Sequence, residues 1–296
     1  AHRVQDENQF IDIVVRLADN LRPQLLFLSL LVAAILFFAG ARIFSQLLAI
    51  TSLFGLLWIA ADYGQRIAPR GTKTDLTVLW FNALAPNDVS PEVLEKAIRA
   101  SGADLAVFGE STPVVPLAES LMDVYPYNAG TEFREQLGSI LILSKAPIDL
   151  LESIDALASG PARKARFMIE YSGSSVEVVA MHLTKHWYLV AATSDKSRIN
   201  RSLRQTSDGA LLVLGDFNAA PWSRPLIDFE KRFGMQHAPV PVATWPVEAG
   251  RFGVPIDHIL LRGQAALTSL SPWGADLGSD HRGLIARIDL SGPAPE

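Results

Sequence analysis

The segment LLVLGDFNAAP, residues 211–221, predicts a buried strand that ends in a turn bearing polar groups. Its four leading apolar residues are typical of a strand that is buried on both faces. Gly215 allows the chain to turn, and Asp216 and Asn218 follow directly at the strand's end. Taken alone, the segment fits an ordinary strand-to-turn junction equally well, because Gly, Asp and Asn all favour turns. The remainder of the chain has to decide between the two interpretations.

Other apolar segments also border polar residues that could take part in chemistry. Predicted strands at 75–82, 104–110 and 176–182 end on an amide, a carboxylate and an imidazole, and Asp-His pairs adjoin the strands near 256–261 and 283–290. Each residue alone could equally be a cap or a turn residue. Together they form a set at predicted strand ends: Asn82, Glu110, His182, Asp216, Asn218, Asp257, His258, Asp280 and His281.

The strands alternate with helices and with hairpins. Helical spacing is present at 89–101, 187–205 and 223–233, and Ser90-Pro91 predicts an N-cap and a first helical turn. A further strand is predicted at 138–144, and a strand pair at 166–171 and 176–182 flanks a turn at 172–175. Hairpins argue against a purely parallel sheet, so the pattern favours two packed sheets with helices outside them.

Composition narrows the chemistry of the site. The 296 residues contain no cysteine, which excludes disulfides and thiolate metal ligands. Carboxylate ligands favour a hard cation, namely Mg²⁺, Mn²⁺ or Ca²⁺. Residues 71–296 carry 20 Lys and Arg against 26 Asp and Glu, a poor match for nonspecific duplex binding.

Two apolar blocks near the start predict a transmembrane helical hairpin. Residues 25–41 and 43–61 contain no charged side chain, and each is close to the roughly 20 residues that cross a bilayer. The alternative is a buried helical hairpin in a soluble core, although soluble helices rarely stay apolar on every side. The flanking arginines, Arg16, Arg22, Arg66 and Arg70, place both outer ends in the cytoplasm if no further span precedes Ala1.

The order of the motifs resembles the endonuclease/exonuclease/phosphatase superfamily, the metal-dependent phosphoesterases related to deoxyribonuclease I. The resemblance covers about residues 74–290 and rests on FN, GE, GSILILS, MHL, GDFNAAP, IDHI and SDHRG in that order. It implies a four-layer α/β/β/α sandwich of the α+β class. The apolar hairpin and residues 243–260 most resemble the bacterial membrane-anchored members, which implies a further span before Ala1 and a catalytic domain outside the cytoplasm.

The resemblance also implies a role for each residue that matches a motif. Glu110 would be the principal metal ligand, supported by Asn82 and Asp280. Asp216 would activate the attacking water, and Asn218 would orient the phosphate. His281, oriented by Asp257, would bind or stabilise the scissile phosphoryl group, and His182 would assist at the leaving-group side. Two positions depart from the family pattern: Gly109 stands where Gln is frequent, and Gly283 stands where Pro is frequent.

We therefore expect a membrane-tethered, metal-dependent phosphoesterase that uses Mg²⁺, or Mn²⁺ or Ca²⁺ in its place. The substrate would be a nucleic acid or a phospholipid headgroup, the bilayer would hold residues 25–61, and no obligate protein partner is evident. The alternative is a catalytically weak sensor or scaffold that binds a phosphorylated ligand. We expect five segments: a connecting or amphipathic stretch at 1–24, the hairpin at 25–61, a linker at 62–73, the catalytic domain at 74–290 and a disordered tail at 291–296.

Weaker candidates are expected to be structural. Strand alternation points His258 away from the face that bears Asp257. His186 and Trp187 are placed either in the substrate cleft or at a helix start. Trp222, Trp245 and Trp273 are more typical of core packing than of ligand stacking.

Overall fold

The computed structural model describes residues 2–130, 140–153, 164–185, 199–206 and 209–292. Its side chains are described from residue 11 onward, except at positions 152 and 153. His186, Trp187, most of the helix predicted at 187–205 and the end of the predicted tail lie outside the described residues.

Three helices come first along the chain: α1 (His2–Asn20), α2 (Arg22–Phe38) and α3 (Arg42–Gly64). α2 and α3 pack against each other. By length and composition, α3 could cross a membrane, whereas Ile11–Asn20 and Arg22–Phe38 meet that criterion only as a pair that is bent by 85°. One or two such helices are weak evidence of a membrane protein, because some soluble proteins and signal sequences contain them as well.

The residues that α2 and α3 bury are small. Ala33, Ser45 and Ser52 are the buried positions in the two helices, and the Ser45 hydroxyl donates to the Ala33 carbonyl at 2.7 Å. The large apolar side chains instead face outward, and Phe38 is 87% exposed. This is the reverse of the arrangement in a soluble helical hairpin, where the large apolar groups face the partner helix.

The described residues form eleven strands in two mixed sheets. The first sheet has the order β10-β11-β1-β2-β4-β3 and the second the order β5-β6-β7-β8-β9. Their bounds are β1 (Leu76–Asn82), β2 (Leu105–Gly109), β3 (Tyr127–Ala129), β4 (Leu141–Ser144), β5 (Ile148–Ser153), β6 (Lys164–Tyr171), β7 (Ser174–His182), β8 (Ala210–Asp216), β9 (Asp257–Arg262), β10 (Ala266–Trp273) and β11 (Gly283–Asp289).

The two sheets pack face to face, and helices cover both outer faces. The core between the sheets includes Trp80, Phe167 and Leu212, which are completely buried. Helix α4 (Pro91–Ala100) covers the first sheet, and α5 (Arg224–Phe233) covers the second together with the helical residues 199–203. This arrangement confirms the predicted four-layer sandwich.

The predicted elements agree with the structure except at the sheet edges. Ser90 caps α4 by accepting a hydrogen bond from the Val93 amide, as predicted. The strands that the sequence analysis does not predict are β3, β5 and β10, which are all edge strands. β3 and β10 are partly exposed, so their sequences lack the continuous apolar run that marks a buried strand, whereas the edge strand β9 is buried along most of its length and was predicted.

The chain that leaves α3 is held against the sandwich rather than running free. Arg66 is 6% exposed, pairs with Asp62 at 2.8 Å and contacts Glu230 of α5. The amide of Ala68 donates to the carbonyl of His237 at 2.7 Å. The residues predicted as a linker at 62–73 therefore begin inside α3 and continue as a bound segment.

Candidate functional site

Parallel pairing of β1 and β2 brings two predicted metal ligands together. Asn82 lies opposite Gly109 in the register, so Glu110 follows at the same edge of the sheet. The Asn82 amide nitrogen lies 3.5 Å from Glu110 Oε1. The other oxygen, Glu110 Oε2, accepts from the Ala85 amide at 3.1 Å, which holds the carboxylate in place.

The second sheet presents its polar residues at the same site. β7 and β8 run parallel with His182 opposite Asp216, and β9 runs antiparallel with Asp257 also opposite Asp216. A hydrogen bond joins the polar residues of the two sheets, because Asn82 Nδ2 of the first sheet donates to Asp216 Oδ2 of the second at 3.2 Å. Asp216 accepts from the Asn218 amide at 2.8 Å, so the turn predicted after the strand closes on this carboxylate.

The loop before β11 adds the last two predicted residues. The Ser279 hydroxyl donates to the Asn82 carbonyl at 2.7 Å and accepts from the His281 amide at 3.0 Å. These bonds fix the loop to the end of β1, with Asp280 and His281 at the site. All eight residues that the sequence assigned to catalysis or metal binding therefore lie in one cluster.

The backbone around the site is strained. Glu110, Asn218 and Leu84 have φ values of 46°, 50° and 59°. This left-handed region is uncommon for residues with a β-carbon, and such strain concentrates at functional sites. In each case the surrounding hydrogen bonds hold the strained loop at the end of a strand.

His281 and Asp257 form a buried pair. His281 Nδ1 lies 2.8 Å from Asp257 Oδ2, and both residues are at most 6% exposed. Burial alone would lower the pKa of His281, but the Asp257 carboxylate outweighs it and raises that pKa to about 10. The imidazolium in turn lowers the pKa of Asp257 despite burial. His281 is consequently a fixed cation at neutral pH.

Asp216 is the carboxylate at the centre of the cluster. It is 2% exposed, and burial together with the nearby Asp257 carboxylate raises its pKa to about 7. His182 Nε2 and His281 Nε2 lie 3.6 and 3.9 Å from Asp216 Oδ2. A carboxyl group with a pKa near neutrality is suited to accept a proton during catalysis.

Glu110 and Asp280 lie on the solvent side of the cluster. Their side chains are 24% and 42% exposed, whereas Asp216 and Asp257 are almost fully buried. The Trp245 indole donates to Asp280 Oδ2 at 3.0 Å, and Asp280 Oδ1 is buried with no hydrogen-bond partner among the described residues. Asp280 Oδ1 lies 3.9 Å from His281 Nε2, and this oxygen and the partly exposed glutamate fit the oxygen donors of a hard cation.

Asp216, Asp257 and His281 also offer atoms within 4.8 Å of one another, a spacing compatible with one metal ion. However, Asp257 and His281 are already bonded to each other, so only Asp216 retains its carboxylate for another task. A cation bound between Asp257 and His281 would have to replace the hydrogen bond between them.

The sequence pattern did not predict the residues that hold the site residues in place through hydrogen bonds. The Trp80 indole donates to Asp257 Oδ1 at 2.8 Å, and the Thr244 hydroxyl lies 3.2 Å from the Asp257 amide. Trp80 belongs to an apolar strand, so the pattern predicted only core packing. Trp245, expected to be structural, contacts Asp280, whereas Trp273 packs on Phe81 as expected.

Trp80 explains why glycine occupies position 109. A β-carbon added to Gly109 would lie 2.8 Å from Trp80 Cη2, so the indole fills the space of a side chain. We expect Gly109→Gln to destabilise the protein by about 1–3 kcal/mol through overpacking. Chemical denaturation measures the loss. The double variant with Trp80→Phe should lose less stability than the sum of the losses in the two single variants. Strictly additive losses would contradict this steric coupling.

His258 is structural, as strand alternation predicts. It is 7% exposed, its Nε2 lies 2.8 Å from the Ala219 carbonyl, and its ring packs against Phe217. Burial lowers the pKa of His258 to about 4. The His258 imidazole is therefore neutral in the folded protein at neutral pH.

This pKa predicts a loss of stability in acid. Between pH 6.5 and about 4 the unfolded chain gains a proton on His258 that the folded protein does not bind. The free energy of unfolding should therefore fall as the pH falls, by about 3 kcal/mol from this group over that range. His258→Gln keeps a donor for Ala219, so its denaturation midpoints should depend less on pH than those of the wild type. Equal pH slopes would show that His258 titrates normally.

The site was compared with known proteins through both the sequence and the fold. The family model described as Endonuclease/Exonuclease/phosphatase family matches residues 79–281, a span that includes all eight predicted site residues. No curated protein sequence matches the chain significantly.

Solved structures show the same fold at low sequence identity. An endonuclease/exonuclease/phosphatase from Bacteroides vulgatus is 18% identical, with a TM-score of 0.57 over 74% of this chain and 100% of that chain. Another from Beutenbergia cavernae is 17% identical, with a TM-score of 0.56 over 75% and 73%. D. rerio TDP2 in complex with a single-strand DNA product is 14% identical, with a TM-score of 0.56 over 72% and 98%. Because the family model covers most of the sandwich and the whole candidate site, the chain belongs to the endonuclease/exonuclease/phosphatase family.

Proposed function

We propose that this protein is a membrane-tethered, metal-dependent phosphoesterase that hydrolyses a phosphate ester by in-line attack of water. The observation that carries the proposal is the position of Asp216, a buried carboxylate with a pKa of about 7 among three polar partners. Family membership supports the reaction class, because the family consists of phosphoesterases.

The residues divide the reaction between them. Asp216 accepts a proton from the attacking water as the new phosphorus–oxygen bond forms and the ester bond breaks. The His281 imidazolium, held by Asp257, stabilises negative charge on the phosphoryl group. Asn218 orients the phosphate, and His182 acts on the leaving-group side.

Glu110, Asn82 and Asp280 would hold the metal ion. Their support is the partly exposed Glu110 carboxylate beside Asn82 and the Asp280 Oδ1 oxygen, which is buried without a hydrogen-bond partner among the described residues. A bound Mg²⁺, Mn²⁺ or Ca²⁺ would polarise a phosphoryl oxygen and stabilise the leaving oxyanion.

The arrangement of α2 and α3 supports a membrane anchor. Outward-facing Leu, Ile and Phe side chains together with small buried residues suit a lipid environment, where no hydrophobic effect separates the two faces. We infer that these helices anchor the sandwich to a bacterial membrane with the catalytic domain on the extracytoplasmic side. Residues 25–61 would contact lipid. The resemblance to anchored relatives supports that side, whereas the visible arginines alone favour the opposite one.

A substrate panel tests the proposal directly. The chain of residues 1–296 in lipid nanodiscs is offered DNA, RNA, phosphoinositide, sphingomyelin and a chromogenic phosphodiester, each with and without Mg²⁺, Mn²⁺ or Ca²⁺. We expect turnover of one ester class that disappears with a chelator. Glu110→Gln should abolish the metal-dependent turnover, whereas Asp276→Asn, a change at an exposed carboxylate, should leave it intact. Metal binding without any turnover would favour the sensor or scaffold interpretation instead.

A further inference from the structure

The loop after β8 is held by the N-terminal helices as well as by the sheet. Asn20, the last residue of α1, is 7% exposed and faces this loop with both ends of its side-chain amide. Its Nδ2 donates to the Asn218 carbonyl at 3.3 Å, and its Oδ1 accepts from the Ala220 amide at 2.8 Å. One side chain therefore contacts the backbone on either side of Ala219.

Neighbouring contacts extend the attachment in both directions. The Asn20 carbonyl accepts from the Trp222 indole at 2.8 Å, and Asp19 accepts from the Arg224 amide at 2.7 Å. The Ser223 side chain does not cap α5, so the Asp19 carboxylate occupies the position of a capping group at that helix N-terminus. Asp19 also pairs with Arg22 at 3.0 Å.

The other end of the hairpin reaches the same loop. Arg66, just beyond α3, donates from Nη2 to the Pro221 carbonyl at 3.2 Å. The hairpin that enters through Asn20 and leaves through Arg66 is thus attached at both ends to the segment that begins with Asn218.

We propose that Asn20 is a positioning residue, and that the turn between α1 and α2 holds the strained Asn218 backbone in its catalytic conformation. The inference rests on the proposed function, in which Asn218 orients the phosphate. The Asn218 φ of 50° lies in the left-handed region, which asparagine tolerates better than most residues with a β-carbon but which still favours external contacts that keep the loop in it. The Asn20 amide supplies a donor to one side of the bend and an acceptor to the other. A displacement of the helical hairpin would therefore displace the loop that bears Asn218.

The test compares Asn20→Ala and Asn20→Asp in the full chain in nanodiscs. Asn20→Ala loses both side-chain bonds, so kcat should fall at least about tenfold, because small displacements of a positioned group are costly in catalysis. Hydrogen exchange of the amides at 217–222 should accelerate about tenfold, while the central strands β1 and β8 keep wild-type protection.

Asn20→Asp separates the two bonds. Aspartate still accepts from Ala220 but cannot donate to the Asn218 carbonyl, so the Ala220 amide should recover protection while kcat stays below wild type. Ser45→Ala is the matched control, because it also removes one buried side-chain-to-backbone bond of the N-terminal helices. It should keep the wild-type kcat and the wild-type exchange at 217–222.

Two results would overturn the inference: Asn20→Ala with kcat and loop exchange within twofold of wild type, or exchange that accelerates equally throughout both sheets. The second result would indicate a general loss of stability. If the wild type hydrolyses no substrate, the proposed function fails, whereas loop exchange still decides whether Asn20 holds the loop.

Discussion

Asp216→Asn is expected to lower kcat about a thousandfold, the middle of the range for loss of a positioned general base. Asparagine has nearly the same shape and can keep the bond from the Asn218 backbone amide, but its NH2 group can accept neither the bond from Asn82 nor a proton from water. Steady-state turnover of the substrate found in the panel measures the effect. Asp276→Asn, with its exposed side chain, should remain within about twofold of wild type.

The same substitution should raise stability while it removes activity. Burial and Asp257 raise the pKa of Asp216, so ionised Asp216 costs folding free energy at pH 8, which lies above both its folded and its unfolded pKa. The neutral amide removes that cost, and the denaturation midpoint of Asp216→Asn should increase at that pH. A variant that loses both activity and stability would contradict this explanation, because the loss of activity would then reflect damage to the fold.

Gly215→Ala is expected to cost more than about 4 kcal/mol and to prevent accumulation of folded protein, a size of effect that requires a specific steric cause. A β-carbon at this position would lie 1.8 Å from the Met181 carbonyl oxygen on the neighbouring strand, and the φ of 154° disfavours a side chain as well. The collision is with backbone, so no rotamer change can relieve it. Circular dichroism and chemical denaturation of purified protein measure the outcome.

Gly64→Ala is the matched control for this substitution. Gly64 lies in α3, and a β-carbon there meets nothing within 4 Å. Helix propensity predicts unchanged or slightly higher stability, by up to about 1 kcal/mol. A Gly215→Ala protein with the wild-type denaturation midpoint would show that β7 and β8 are not paired as described.

Two glycines near the site, Gly215 and Gly109, show what the local sequence pattern predicted and what it could not. Gly215 was predicted as a turn element, and it does precede the turn, but its essential property is the close approach of β7. Gly109 was recognised as a departure from the family pattern, and only the position of Trp80 gives it a reason. In both cases the constraint comes from a residue on a neighbouring strand.

Much of the fold and the membership of the candidate site could be predicted from sequence. Central strands such as β8 are buried along their whole length, so their apolar runs are unambiguous, and polar residues at their ends stand out. The ordered motifs then indicate which strand ends share a site. The edge strands β3, β5 and β10 escaped prediction because half-exposed sequences carry a weaker pattern, whereas the edge strand β9 is mostly buried and was predicted.

The sequence by itself determined the central strands, the apolar hairpin and the eight polar residues of the site, because each is encoded by a local run or a motif. Only the tertiary structure decided which side chains support that site. Trp80 reaches Asp257, and Asn20 reaches the loop at Asn218, across 177 and 198 residues of chain. Contacts between such distant residues depend on how sheets and helices pack, and no periodicity in either partner's own segment records them.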